Sequence, residues 1–354
     1  MNVKFISHHP DFDAITGSNP IAILLAETDS SSKLPLFHEA CVFHAPSQSV
    51  FVTSNHYPSE ISHATTSNKQ VRLSRVYDDG AQQDEFGRAK VEDVTPPSLQ
   101  WSMLNGGVNY GQDAILLCAQ GSLEAQDPSG LVSIKVTSLA VDPTIQPVVT
   151  NFHSIVFNSV NDVIIHPTDG SIWFTDPCYG HHQGIRPPPR LPNQVYRFDP
   201  QTKTIRAIAD GFTRPNGLAF SPDLTILYIT DTGALHGSPE IPIDFTGPSH
   251  IYAFDIIQDD SGHPFLTNRR LFAFAPGRIP DGIKCDTKGN VYSGCGDGVE
   301  VWNSHGVLLG VIKVPGGVAN FCFGEKGTMY LCNKTRLWKI RLTGQDIKGA
   351  LLGI

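Results

Sequence analysis

Short apolar runs alternate along this chain with polar breaks rich in Gly, Asp and Pro, and one unit of this pattern keeps returning. Its clearest copy starts at Asn161-Asp162, runs through Val163-Ile164-Ile165, breaks at His166-Pro167-Thr168-Asp169-Gly170 and resumes as Ile172-Trp173-Phe174-Thr175. An apolar run, a tight polar turn and a second apolar run predict an antiparallel hairpin. Asn216-Gly217-Leu218-Ala219-Phe220 leads through Ser221-Pro222-Asp223 into Ile226-Leu227-Tyr228-Ile229, and Asp281-Gly282-Ile283-Lys284-Cys285 leads through Asp286 to Gly289 into Val291-Tyr292-Ser293. Fainter copies begin at Glu39, Asn105 and Asn320. The six polar heads, Glu39, Asn105, Asn161, Asn216, Asp281 and Asn320, follow one another at spacings of 66, 56, 55, 65 and 39 residues. That is the length of one four-stranded sheet with its loops, and six such sheets closed radially make an all-β, six-bladed β-propeller of antiparallel blades. Closure also hides the sheet edges that an open arrangement would expose.

The repeat spans the chain, so residues 1–354 are expected to form a single propeller domain, with residues 1–33 lending an outer strand to the last blade. Outer-strand patterns fall at Gln194 to Asp199, His250 to Asp255, Val299 to Asn303 and Arg336 to Leu342. Between 56 and 100 the chain is polar; Asp78-Asp79-Gly80 and Gln82-Gln83-Asp84-Glu85 predict an exposed loop between outer strands of the first blade. That loop lacks the alternating ligands of an EF-hand. Two Gly/Pro-rich insertions, 178–192 and 233–249, each follow the second strand of a hairpin, where they are placed to cover one end of the channel.

With Lys+Arg 26 against Asp+Glu 34, the net charge of −8 and the lack of a basic cluster argue against nucleic-acid and anionic-membrane partners. The longest early apolar run, Ile21 to Ala26, is too short for a signal core or a membrane span, so a soluble cytoplasmic protein is expected. Seven cysteines, an odd number without CxxC spacing and mostly inside apolar strands, predict buried free thiols.

Each head precedes an inner strand, so the propeller's symmetry turns all six towards the axis. Singly, an Asn or Asp in that place is a turn residue bonding its own backbone. Repeated in separate blades, Glu39, Asn161, Asn216 and Asp281 supply two carboxylates and two amide oxygens, a hard set that suits Ca²⁺ better than Zn²⁺ or Mg²⁺. The chain has no P-loop, no Gly-x-Ser-x-Gly elbow and no His-Glu-x-x-His. Gly294-Cys295-Gly296-Asp297-Gly298 precedes a strand and reads as a turn. His38 and His182 are candidate general bases; Trp101, Tyr110 and Tyr179 are candidates for lining a pocket or for the core.

Phe157-Asn158-Ser159-Val160-Asn161-Asp162, Trp173-Phe174-Thr175-Asp176-Pro177, Arg214-Pro215-Asn216-Gly217-Leu218-Ala219-Phe220 and Ile279-Pro280-Asp281-Gly282 resemble the senescence-marker-protein/gluconolactonase family of calcium-dependent six-bladed propellers. Phe37-His38-Glu39-Ala40, Asn193-Gln194-Val195-Tyr196-Arg197 and Ala319-Asn320-Phe321 are similar, more narrowly, to fungal lactonohydrolases that open aldonate lactones and D-pantolactone. The resemblance implies that Glu39, Asn161, Asn216 and Asp281 hold a catalytic Ca²⁺. It also implies that Asn105 and Asn320 stand nearby, supporting the ligands or contacting a small-molecule lactone, and that Asp281 serves as base, with His38 and His182 as alternatives; Asn161 and Tyr179 are further candidates for contacting the lactone. A monomer or weak oligomer is expected. The rival readings are a phosphotriesterase or arylesterase on the same metal site, and a non-catalytic binding propeller.

Overall fold

The computed structural model describes the chain apart from residues 1, 30, 33, 59–68, 85, 98–99, 139–144, 239, 345–346 and 351–354. Six antiparallel sheets follow one another in chain order, each built outwards from an inner strand. The inner strands are Glu39–His44, Leu104–Tyr110, Val163–Ile165, Pro215–Phe220, Ile283–Cys285 and Phe321–Phe323. Each pairs with the second strand of its hairpin, in the third blade with Val163 opposite Phe174 and Ile165 opposite Ile172. One inner-strand residue from each blade, Cys41, Val108, Ile164, Ala219, Lys284 and Phe323, faces a single axial cavity of about 120 Å³. The six-bladed propeller expected from the repeat is therefore the fold.

Both faces of every blade are apolar because successive strand residues point to opposite sides and each side meets a neighbouring blade. Trp173 packs edge-on against Phe220 of the fourth blade, with centroids 5.2 Å apart, while the next residue, Phe174, lies with Phe157, Leu116 and Leu131 towards the second. Six clusters of this kind, each joining two adjacent blades, make up the core.

The ends of the chain meet in the last two blades. Lys4–Ser7 pairs with Leu308–Lys313 as a fifth strand on the fifth blade, and Ile21–Glu27 pairs with Arg336–Arg341 on the sixth. Between them the helix Pro10–Thr16, which strand periodicity did not foretell, buries Phe12 in the core cluster shared by the fifth and sixth blades. In the polar stretch, Leu73–Tyr77 and Val91–Asp93 are the outer strands of the first blade and flank the expected loop, of which Glu85 lies outside the described residues. All seven cysteines are buried and unpaired, Cys41 Sγ lying 3.5 Å from Cys322 Sγ. Trp101 and Tyr110 pack with core clusters, and the Gly294 to Gly298 segment is the turn between two paired strands. Among the described residues no helix is long and apolar enough to cross a membrane; strands are a separate matter.

Candidate functional site

The heads are held at the axis by a device that repeats between blades. A threonine on the second strand of one blade donates its hydroxyl to the backbone carbonyl of the next blade's head. Thr53 bonds Asn105 O at 2.9 Å, Thr175 bonds Asn216 O at 2.8 Å and Thr230 bonds Asp281 O at 2.8 Å. Glycines after the heads let neighbouring heads approach: a β-carbon on Gly217 would lie 2.5 Å from Asp281 O, and one on Gly282 would run into the Asn320 side chain. Asp176 at the end of its strand accepts from Asn158 N and Ser159 N, and Asp231 from Thr213 N and Arg214 N, fixing the segments that lead into Asn161 and Asn216.

Three carboxylates converge, one more than the repeat heads supply. Burial pushes Asp281 up to about 7, with the charge of Asp162 adding to the rise and Asn216 opposing it. Glu39 is also pushed well above the carboxylate range, first by burial and then by Asp281, although it accepts a 2.9 Å bond from Asn320 Nδ2. Asp162, directly after a head, is buried and raised, with Lys284 below it as counter-charge. Asn320 is fully engaged, since its Oδ1 also accepts from Phe321 N, so it holds Glu39 in place. By contrast, Asn105 Oδ1, Asn161 Oδ1, Asp162 Oδ2 and Asp281 Oδ1 are buried with no donor among the described residues. Leaving such atoms unmatched costs about 1–3 kcal/mol each. A hard cation would satisfy lone pairs and relieve the like-charge repulsion together, and an all-oxygen set of carboxylates and amides has the chemistry for one. Among the described residues no three His, Cys, Asp or Glu side chains are grouped for a metal. A set here would have to mix two head carboxylates with two amides.

The remaining candidates sit at different distances from this centre. His38 Nε2 is 4.0 Å from Glu39 Oε1 and its Nδ1 is buried without a partner; burial lowers its pKa to about 3, with His56 and Lys334 assisting. The ring is neutral at pH 7 and a poor base. Tyr179 opens the short helix Tyr179–His182, and its buried hydroxyl has no partner among the described residues. Asp281, Asn216 and Thr232 are the groups facing that hydroxyl, and burial raises its pKa. His182 lies one layer out: its ring is 5.5 Å from His236, and after burial the groups that lower its pKa are Arg214, His236 and His181. Arg214 in turn bonds His236 Nδ1 at 2.7 Å. The two insertions meet where Gly237 lies against the Tyr179 ring, and Lys69, from the polar stretch of the first blade, bonds Gln183 O at 2.6 Å. Arg186, from the first insertion, turns inward to Asn158 O, Phe157 O and Ser122 O.

Residues 98–334 match the family described as "SMP-30/Gluconolactonase/LRE-like region". The chain is 32% identical to "Lactonohydrolase oryL" of Aspergillus oryzae over 208 residues, 55% of this chain and 47% of that protein. It is 32% identical to a gluconolactonase of Zymomonas mobilis over 215 residues, 57% of this chain and 56% of that protein. These matches span about half the length of each relative. Among solved structures, XC5397 of Xanthomonas campestris, described as a gluconolactonase, superposes with a TM-score of 0.69 at 25% identity, covering 96% of this chain and 94% of that one.

Proposed function

Because this chain belongs to the SMP-30/gluconolactonase/LRE-like family, we propose that it is a calcium-dependent lactonase that hydrolyses the ring ester of a small lactone. The observation that carries the reading is the axial set of raised carboxylates beside orphaned amide oxygens. Glu39, Asn161, Asn216 and Asp281 would hold the ion, which when bound supplies Lewis-acid polarisation of the carbonyl and stabilisation of the oxyanion. The names of the matched lactonohydrolase and gluconolactonase support the same chemistry.

The chain's own groups divide the remaining work. Asp281 takes a proton from the attacking water as the new C–O bond forms. The ring C–O bond then breaks, and the proton passes to the departing alkoxide, leaving an open-chain hydroxy acid. Tyr179, with a free hydroxyl beside Asp281 and Asn216, donates to the substrate. Asn105 and Asn161 offer further contacts, and Asn320 fixes Glu39. The insertions exclude bulk water, which strengthens each of these interactions. Histidine bases are less favoured, His38 because burial makes it weakly basic and His182 because Arg214 and two histidines surround it.

The test is proton release from a panel of lactones, aryl esters and phosphotriesters, with chelator and with calcium restored. Lactone turnover that chelator abolishes and calcium returns is expected. Turnover confined to aryl esters or phosphotriesters, or unaffected by chelator, overturns the reading.

A further inference from the structure

Beside Asp281 and His38 the site opens into a cavity of about 300 Å³ between the fifth and sixth blades and the 233–249 insertion. Its walls are Leu235, Ile243, Ile279 and Val318, with Gly316-Gly317 leaving room between them. None of the described residues lining it is Ser, Thr, Asn, Gln or Tyr. A polyhydroxylated substrate lodged there would exchange its hydrogen bonds to water for few side-chain partners, which is costly. The cations present offer little in exchange. Arg278 is already paired with Glu300 and close to Asp297, and Lys334 stands exposed at the margin.

Two further observations mark the wall as built for apolar contact. Ile279 has a φ of 51°, a left-handed conformation in which a β-branched residue is strained, yet it sits two residues before Asp281 with its side chain buried in the wall. On the insertion, Ile243 and Phe245 are exposed at 39% and 76%, and Phe245 reaches the rim at Gly277, 3.5 Å from where a β-carbon would stand. Water-facing apolar side chains continuous with a cavity form a path for an apolar group.

We infer that this cavity takes an alkyl or acyl substituent on the lactone, so that the substrate class is a lactone with an apolar tail running from Asp281 past Ile243 and Phe245. The inference rests on the lactonase reading above. Its test compares D-glucono-δ-lactone, unsubstituted δ-valerolactone and δ-lactones of eight and ten carbons with the calcium-loaded protein. The expected result is a kcat/KM that rises about fourfold for each methylene buried in the cavity. In Ile243→Asp, the ratio of kcat/KM for the ten-carbon lactone to that for δ-valerolactone should fall at least tenfold. Being a ratio within one preparation, it is unaffected by the fraction of protein folded. Preference for the glucono-lactone, or a ratio unmoved by Ile243→Asp, overturns the apolar-tail assignment and leaves the lactonase reading standing. Failure to turn over any of the four lactones overturns both.

Discussion

Asp281 is where charge, burial and the proposed chemistry meet. Asp281→Asn keeps the size and one oxygen but removes the negative charge and the proton acceptor. Turnover with calcium saturating should fall by about 10²–10⁴ while the circular dichroism spectrum stays that of the parent. If His182→Ala is inactive and Asp281→Asn retains more than about a tenth of kcat, the base is the histidine. The same residue governs the pH dependence of the chelated protein. Folded Asp281 and Asp176 sit at about 7, against 3.8 for an ordinary aspartate, so the folded state binds the extra protons. Their contribution is fully present below the ordinary value and is lost as pH rises through about 7. His38 and His56 work in the opposite sense, since burial lowers them to about 3 and about 4 from 6.5. They add stability as pH rises towards 6.5 and nothing beyond. The two sets oppose one another between about pH 4 and 6.5, and above 6.5 only the carboxylates still titrate, so with chelator the melting temperature should fall between pH 6.5 and 8, and saturating calcium should remove that alkaline fall. A metal-free curve still rising between pH 7 and 8 would contradict the assignment.

At the scale of elements, the strand hairpins do more than build blades, because in three of them the end of the second strand positions the head of the next blade. Gly217 is one such joint, with no room for a β-carbon beside Asp281 O. Gly217→Ala should push the fourth and fifth heads apart. The expected cost is about 1–3 kcal/mol of overpacking, with a larger loss in calcium affinity than in stability. Calorimetric titration beside a denaturant melt separates the two; an unchanged calcium Kd would show that the heads do not need this contact. The threonines at 53, 175 and 230 form the other half of the joint. Their recurrence at the end of the second strand was visible in the sequence, but only the ring geometry shows that each reaches across to the following blade.

For the whole molecule, the axis is where three of the six blades bring carboxylates of like charge, so a bound cation should tie the ring together. Saturation at about a hundred times Kd adds roughly 2.7 kcal/mol if the ion binds only the folded state. Chelation should thus lower the melting temperature and the activity together, and calcium should restore both. Stoichiometric zinc in active protein, or a melt indifferent to chelator, would remove the cation from the account.

The sequence by itself determined the repeat and hence the architecture. Alternating apolar strands with polar turns leave each blade two apolar faces, and those faces find cover only in neighbouring blades. It also marked Glu39, Asn161, Asn216 and Asp281, because a polar head before an inner strand has one direction to face in a closed ring. Tertiary structure alone decided the rest. Asp162 reads locally as the residue that starts a strand, and it joins the carboxylate cluster only because Glu39 and Asp281 arrive from blades distant in sequence. Lys284 occupies a position that is apolar in the other five inner strands, and its meaning appears once it lies under those carboxylates. Arg186 sits in a Pro-rich loop that reads as exposed, yet it turns inward and donates to carbonyls of two other segments. The cavity wall draws Leu235, Ile279 and Val318 from three separate stretches. Local pattern records which way a side chain faces relative to its own strand, whereas a site depends on what arrives from the other side.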